Sequence, residues 1–424
     1  MVISYTGSGE VLDIVRRLGR TEDVKFSPSY RQFAVAGFSE NKVVLFDISI
    51  TSTSSGKKLE LLRANEIFSP SFNLPHGLDF IDDRSLIVAN RNGMACILRL
   101  PDLADGVSYH EIVPSATIAD QDLIHSPGSV SVTRSAEDLY EILMCDNFGH
   151  TITRHILNAD RGFSVEESGL LLHKHLDIPD GICVSSDRKW VGVSNHNRHC
   201  VAMYFNDGSL DVSADPRGLL RGVYYPHGVR FTADGKFVLV ADAGAPFVRI
   251  YKSHDGSWRG IHYPVSSYRV MSDETFLQGR RNPQEGGPKG IDIHESAHVA
   301  VTTSELQPLA FFDLPEMLSP TAGRGHCYEQ QSELALTCEL DLADQAATHM
   351  RQAEAGAKQA EARAKQAETR AKQAELRAGK AETRVAVHTK KAEGQMAAMK
   401  RSRSWRITAP LRWASSCIIR SSRS

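Results

Sequence analysis

The sequence has no run of eighteen apolar residues, which excludes a membrane-spanning helix. Its seven cysteines form no C-x-x-C pair. Scattered thiols in odd number argue against a zinc cage or a disulfide framework, and they point to a reducing compartment such as the cytoplasm. The opening residues show no basic stretch followed by an apolar one, so no secretory leader is expected. Before residue 330 no apolar pattern of helical period lasts three turns.

Net charge is also nearly absent, at −2, but that figure hides a division. From residue 351 onward there are 18 Lys and Arg against 6 Asp and Glu, a net of +12, which leaves −14 for the remainder. An acidic body therefore carries a basic tail, and the two parts suit different partners.

Six related segments fill the body: "EDVKFSPSYRQFAVAGF" from 22, "HGLDFIDDRSLIVAN" from 76, "PGSVSVTRSAEDLYEILMCDN" from 127, "DGICVSSDRKWVGVSN" from 180, "HGVRFTADGKFVLVAD" from 227 and "KGIDIHESAHVAVTTS" from 289. Each reads as a period-2 strand, a polar turn and a second apolar strand. The aligned positions are Asp23, Gly77, Gly128, Gly181, Gly228 and Gly290, spaced by 54, 51, 53, 47 and 62 residues. Third strands follow in "NKVVLFDI", "MACILRL", "HCVAMYF" and "PFVRIYK". These spacings suit four-stranded blades, and the expected fold is all-β, a six-bladed β-propeller over residues 1–320. The long fifth interval, residues 253–287, is expected to hold the outer strands of blade 5 and a long loop.

A linker is expected over 321–344 and a long Ala-rich helix over 345–398. Ala353, Ala357, Ala360 and Ala364 begin a 4,3 spacing that continues to Ala381, which marks a heptad. Glu361–Lys365 and Glu368–Lys372 are favourable i,i+4 pairs. So small a seam buries little, so the helix is either a solvated spacer or a coiled coil with a partner helix. Residues 399–424 mix Trp405, Leu411, Trp413, Ile418 and Ile419 with basic residues. They read either as a disordered basic end or as a segment that lies on an anionic membrane surface. The arginines form no nucleic-acid-binding module, so nucleic acid is not an expected partner.

The first strand of each blade lines the channel, so the residue before each aligned position stands at one mouth. This ring is Glu22, His76, Pro127, Asp180, His227 and Lys289. Glu22 faces Asp180 across the axis, and His76 faces His227. Two carboxylates and two imidazoles are competent ligands for a divalent metal, and this mixed set suits Zn, Mn or Fe. His76 or His227 would either ligate the metal or act as a general base, and Lys289 would either repel the metal or hold a substrate carboxylate or a developing oxyanion. Asn90, Asp146, Asn195 and Asp242, at second-strand ends, would orient the ligands by hydrogen bonds. The structural alternative is that these polar residues only satisfy turns. The mouth is expected to lie outside the inter-blade core, so that losing Glu22 or His76 leaves the protein folded.

"PDGICVSSDRKWVGVSN" resembles a blade of the gluconolactonase–regucalcin family, and "TEDVKF" and "SFNLPHGLDFIDD" resemble the paraoxonase–arylesterase family. Both families are six-bladed hydrolases of lactones or esters. The resemblance spans about residues 20–315 and implies that Glu22 holds an axial metal, Asp23 a second, deeper metal, and that His76 is the base. It also implies calcium, which prefers all-oxygen shells that His76 and His227 would not give. The sequence departs from these families at Pro127, His227 and Lys289. "SRSWRITAPLR" resembles a tail of bacterial proteins of surface-polysaccharide synthesis. Two functions follow as expectations: a metal-dependent hydrolase of lactones or esters, or a non-catalytic propeller platform tied by its tail to glycan synthesis or a membrane.

Overall fold

The computed structural model describes residues 2–54, 56–101, 106–120, 122–319, 393–399 and 401. Blade 1 runs outward from the channel through Thr21–Phe26, Gln32–Gly37, Lys42–Thr53 and Gly56–Phe68. Blade 2 uses Pro75–Asp82, Ser85–Asn90, Ala95–Arg99 and Ala116–Ile118. Blade 3 uses Pro127–Ala136, Leu139–Asp146, Thr151–Asn158 and Ser164–Leu172. Blade 4 uses Pro179–Val184, Trp190–Asn195, Cys200–Phe205 and Gly218–Leu220. Blade 5 uses Pro226–Phe231, Phe237–Asp242, Phe247–Lys252 and Ser266–Arg269. Blade 6 uses Ile291–His294, Val299–Thr302 and Ala310–Asp313. Its fourth strand comes from the other end of the chain: Val2–Ile3 pairs antiparallel with Phe311 and Phe312. First strands of neighbouring blades touch, and the sixth touches the first. The chain is a six-bladed β-propeller.

The apolar residues sort into six cores, one between each pair of blades. Alternation along single strands explains the sorting. In blade 1, Phe33 and Val35 face blade 6, where Val299 and Phe311 lie. The intervening Ala34 and Ala36 face blade 2 and meet Leu78 and Val88. A strand buried on both faces needs apolar residues throughout, so the second strands read as continuous runs rather than alternating ones. The helix Gly9–Arg16 adds Val11, Ile14 and Val15 to the core between blades 6 and 1.

Residues 253–287 depart in part from the expected layout. Ser266–Arg269 is the outer strand of blade 5, but Gly260–His262 pairs in parallel with Gly218–Leu220 and so extends blade 4. A short helix, Asp273–Gly279, follows, capped by Ser272 Oγ accepting from Thr275 N at 3.0 Å. The linker expected over 321–344 lies outside the described residues. So does the long helix over 345–398 apart from 393–399, which are helical and exposed, and so does the basic end apart from Met399 and Arg401. A long helix is thus not shown.

Near the axis the first strands come so close that a side chain does not fit. A Cβ on Gly181 would stand 2.0 Å from the His227 carbonyl oxygen, and one on Gly77 would stand 2.2 Å from that of Gly128. Gly181→Ala should therefore push the first strands of blades 4 and 5 apart and cost about 1–3 kcal/mol. Gly9→Ala, where nothing lies within 4 Å, should cost far less. Urea unfolding of both variants measures the difference, and equal midpoints would contradict this packing.

Candidate functional site at the channel mouth

Three blades reach the mouth through the same turn. Leu74, Ile178 and Tyr225 each adopt a left-handed backbone, with φ of 61°, 50° and 47°, and each precedes a proline. Such a conformation is unfavourable for a residue with a side chain, so it needs outside support. The preceding blade provides it. Leu74 N donates to Asn41 Oδ1 at 2.8 Å, Ile178 N to His150 Nδ1 at 3.0 Å, and Tyr225 N to His199 Nδ1 at 3.3 Å. Two residues later come His76, Asp180 and His227, so the latch between blades also places the ring.

Asn90, Asp146, Asn195 and Asp242 complete these turns. Among the described residues, none of the four hydrogen-bonds a ring side chain. Asn90 Oδ1 accepts from Asn73 N, Asp146 Oδ1 from Ser126 N, Asn195 Oδ1 from Asp177 N, and Asp242 Oδ1 from Tyr224 N, at 2.8–3.1 Å. Their influence on the ring runs through backbone, not through direct bonds as the sequence suggested.

Glu22, His76, Asp180, His227 and Lys289 line one small cavity that opens to solvent. All five are nearly fully buried. His76 Nε2 lies 3.7 Å from Glu22 Oε2 and 3.8 Å from Asp180 Oδ1, and His227 Nε2 lies 3.9 Å from Glu22 Oε2 and 2.8 Å from Asp180 Oδ2. The two imidazoles stack at 5.7 Å between centroids. Pro127 contributes no polar group. Asp23 also borders the cavity, but its oxygens accept from Val24 N at 2.9 Å and Leu78 N at 3.2 Å, and Arg230 stands 3.8 Å away. The deeper position is thus supplied with a buried guanidinium of the chain itself.

Side chains outside the repeat frame complete the mouth. Arg91 Nη2 lies 2.6 Å from His76 Nε2, and Asn147 Nδ2 donates to Asp180 Oδ1 at 2.5 Å. His196 has Nδ1 3.8 Å from Asp180 Oδ2 and Nε2 3.5 Å from Glu285 Oε1. Lys289 Nζ bonds Glu285 Oε2 at 2.7 Å and Glu22 Oε1 at 3.2 Å, and Arg20 also bonds Glu22. Two overlapping sets could therefore ligate a metal: Glu22, His76 and His227, and Asp180, His196, His227 and Glu285.

The charges sort by these contacts. Burial opposes ionisation of Glu22, yet Lys289 and Arg20 hold its pKa down to about 2. Burial likewise opposes Asp180, but His227, His76 and Arg91 keep it well below the usual carboxylate range. Burial, reinforced by Arg91, pushes His76 down to about 3, so its imidazole is neutral. Burial also pulls His227 down, but Asp180 and Glu22 outweigh it and raise the pKa. Lys289 resists burial in the same way through Glu22 and Glu285, and stays charged.

A divalent ion fits this donor set by one criterion in particular. Glu22 Oε2, His227 Nε2 and His196 Nδ1 are buried without an aligned hydrogen bond, although buried polar atoms are ordinarily satisfied, and Lys289 Nζ stands 3.1 Å from Glu22 Oε2 as an ion pair. The 2.8 Å contact of His227 Nε2 with Asp180 is attractive by charge but lacks hydrogen-bond alignment. Donor atoms around a tetrahedral ion stand about 3–4 Å apart, and the ring distances are of that order.

The ring side chains lie outside the six apolar cores, as expected, but their burial still ties them to stability. Removing the Glu22 charge leaves Lys289 with Glu285 alone. Glu22→Gln should cost about 3 kcal/mol, at the low end for a broken buried pair. Glu22→Gln combined with Lys289→Met should cost less than the sum of the single changes. Urea unfolding of the four proteins checks this, and strict additivity would show that the pair is not coupled.

No family profile matches the sequence, and no curated protein matches it. Among solved structures, a functionally unknown protein from Desulfotomaculum acetoxidans is similar at a TM-score of 0.45 and 12% identity, over 70% of this chain and 83% of that one.

Proposed function

We propose that the chain is a metal-dependent hydrolase of lactones or esters, with its site at the channel mouth. The carrying observation is the convergence of ligand atoms into two close sets that share His227: Glu22, His76 and His227, and Asp180, His196, His227 and Glu285. Glu22, His76, Asp180 and His227 would hold the ion, with His196 and Glu285 close to Asp180 and His227. Two imidazoles among the donors favour Zn, Mn or Fe over Ca. When bound, the ion supplies a Lewis acid toward an ester carbonyl and acidifies water. Lactones and esters are suggested by the resemblance of "TEDVKF" and "PHGLDF" to hydrolase propellers.

The chain's own groups then have distinct tasks. His76 is neutral, and its Nε2 accepts from Arg91 Nη2 at 2.6 Å, a bond it would have to give up to ligate the ion. Asn147 holds Asp180 Oδ1 in place by hydrogen bonding. His196, with Nδ1 unbonded and Nε2 toward Glu285, would either ligate the ion or accept a proton at Nδ1, not both. Lys289 is charged and bonded to two carboxylates, so it serves as a counter-charge rather than a base.

A second reading, a non-catalytic platform linked through its tail to other components, draws on one observation. Lys289 and Arg20 already meet the mouth carboxylates, as they would in a channel plug. Metal analysis of the supplemented protein, paired with a panel of lactones and aryl esters, decides between the readings. The hydrolase reading expects about one ion per chain, and a loss of hydrolysis of about a hundredfold or more in His76→Ala and Asp180→Asn. Wild-type protein that holds no ion and hydrolyses nothing above background would leave the platform reading.

A further inference from the structure

The ring has a gap at blade 3, where Pro127 stands. Arg91 and Asn147, from turns of blades 2 and 3, occupy it. Each keeps a buried polar atom without a hydrogen bond: Nη1 of Arg91, a donor, and Oδ1 of Asn147, an acceptor. Arg91 is firmly placed. Its backbone N–H donates to Leu74 O at 2.9 Å, and its carbonyl accepts from Ser126 Oγ at 3.1 Å. Its guanidinium carbon lies 5.6 Å from the ring centroid of Phe148, a largely exposed side chain.

Arg91 differs from the other two cations that touch the ring. Lys289 and Arg20 each bond a carboxylate directly. The carboxylate near Arg91 is Asp180, whose Oδ1 is 3.8 Å away and already accepts from Asn147 at 2.5 Å. Arg91 Nη2 spends its bond on a neutral imidazole, and Nη1 has no acceptor. A buried guanidinium N–H without an acceptor is costly, and a planar fork matches a planar carboxylate. Asn147 Oδ1, by contrast, is packed against Gly128, where a Cβ would stand 1.8 Å from it.

We propose that Arg91 binds the carboxylate of a small hydroxy acid at the channel mouth. Such an acid is what opening a lactone releases, so the proposal rests on the hydrolase reading for its place in the reaction. The binding itself does not require hydrolysis.

Calorimetric titration of the full chain with glycolate, and with glycolamide as its neutral counterpart, provides the test. Wild-type protein should bind glycolate and discriminate against glycolamide, both after metal supplementation and after treatment with a chelator. Arg91→Met should weaken glycolate binding by about tenfold or more, as for a lost charge-assisted bond. Arg91→Lys, which keeps the charge but not the fork, should fall between, and it decides the matter if the Met variant does not show a native circular dichroism melt. Four results would each overturn the proposal: no glycolate binding by wild type, equal binding of acid and amide, wild-type affinity in Arg91→Met, or binding that disappears with the metal. Glycolate binding in a protein that hydrolyses no lactone or ester would sink the hydrolase reading and leave this inference intact.

Discussion

The carbonyl of His227 leaves 2.0 Å for a Cβ on Gly181, and much of the site depends on that closeness. Five of the six first strands carry a glycine at the aligned position, and the first carries Asp23. Glycine at 77, 128, 181, 228 and 290 grants the approach. The side chain just before each glycine is then brought to the mouth with the others. Two carboxylates, two imidazoles and an ammonium are thereby forced into one buried cluster, whatever their mutual preference.

Buried charges of one sign would not tolerate such a cluster. Here Glu22, Asp180 and Glu285 are met by Lys289, Arg20 and Arg91, with His227 Nε2 2.8 Å from Asp180. The cluster is close to neutral without a ligand, which keeps the ring folded. It is not fully satisfied, because Glu22 Oε2, His227 Nε2, His196 Nδ1, Arg91 Nη1 and Asn147 Oδ1 lack hydrogen bonds. Donors for a cation lie on one side of Asp180, and a donor for an anion lies at the blade 3 gap. The proposed chemistry uses this division: an ion and an acid group can be held side by side.

The blades were legible because each second strand is apolar on both faces and each first strand begins at a fixed distance from it. The ring was legible for the same reason. What was missed lies one residue away from what was named. Asn90, Asp146 and Asn195 end their strands and bond the lead-in turns, whereas Arg91, Asn147 and His196, the next residues, reach the ring. A step of one residue turns a side chain to the opposite direction, so a pattern that finds the strand end does not find the residue that leaves it. Glu285 and the closing strand Val2–Ile3 carried no repeat signal at all. One lies in the insertion before blade 6, and the other is set apart from its blade by nearly the whole propeller.

The central claim is that the converging donors hold a metal ion. The most direct measurement is an anomalous difference map from crystals of the full chain grown with zinc or manganese. The account predicts a peak at the mouth, roughly 2.0–2.3 Å from donor atoms of Glu22, His76, Asp180 and His227. A map without a peak there, with Lys289 still bonded to Glu22 and Arg91 to His76, would contradict it.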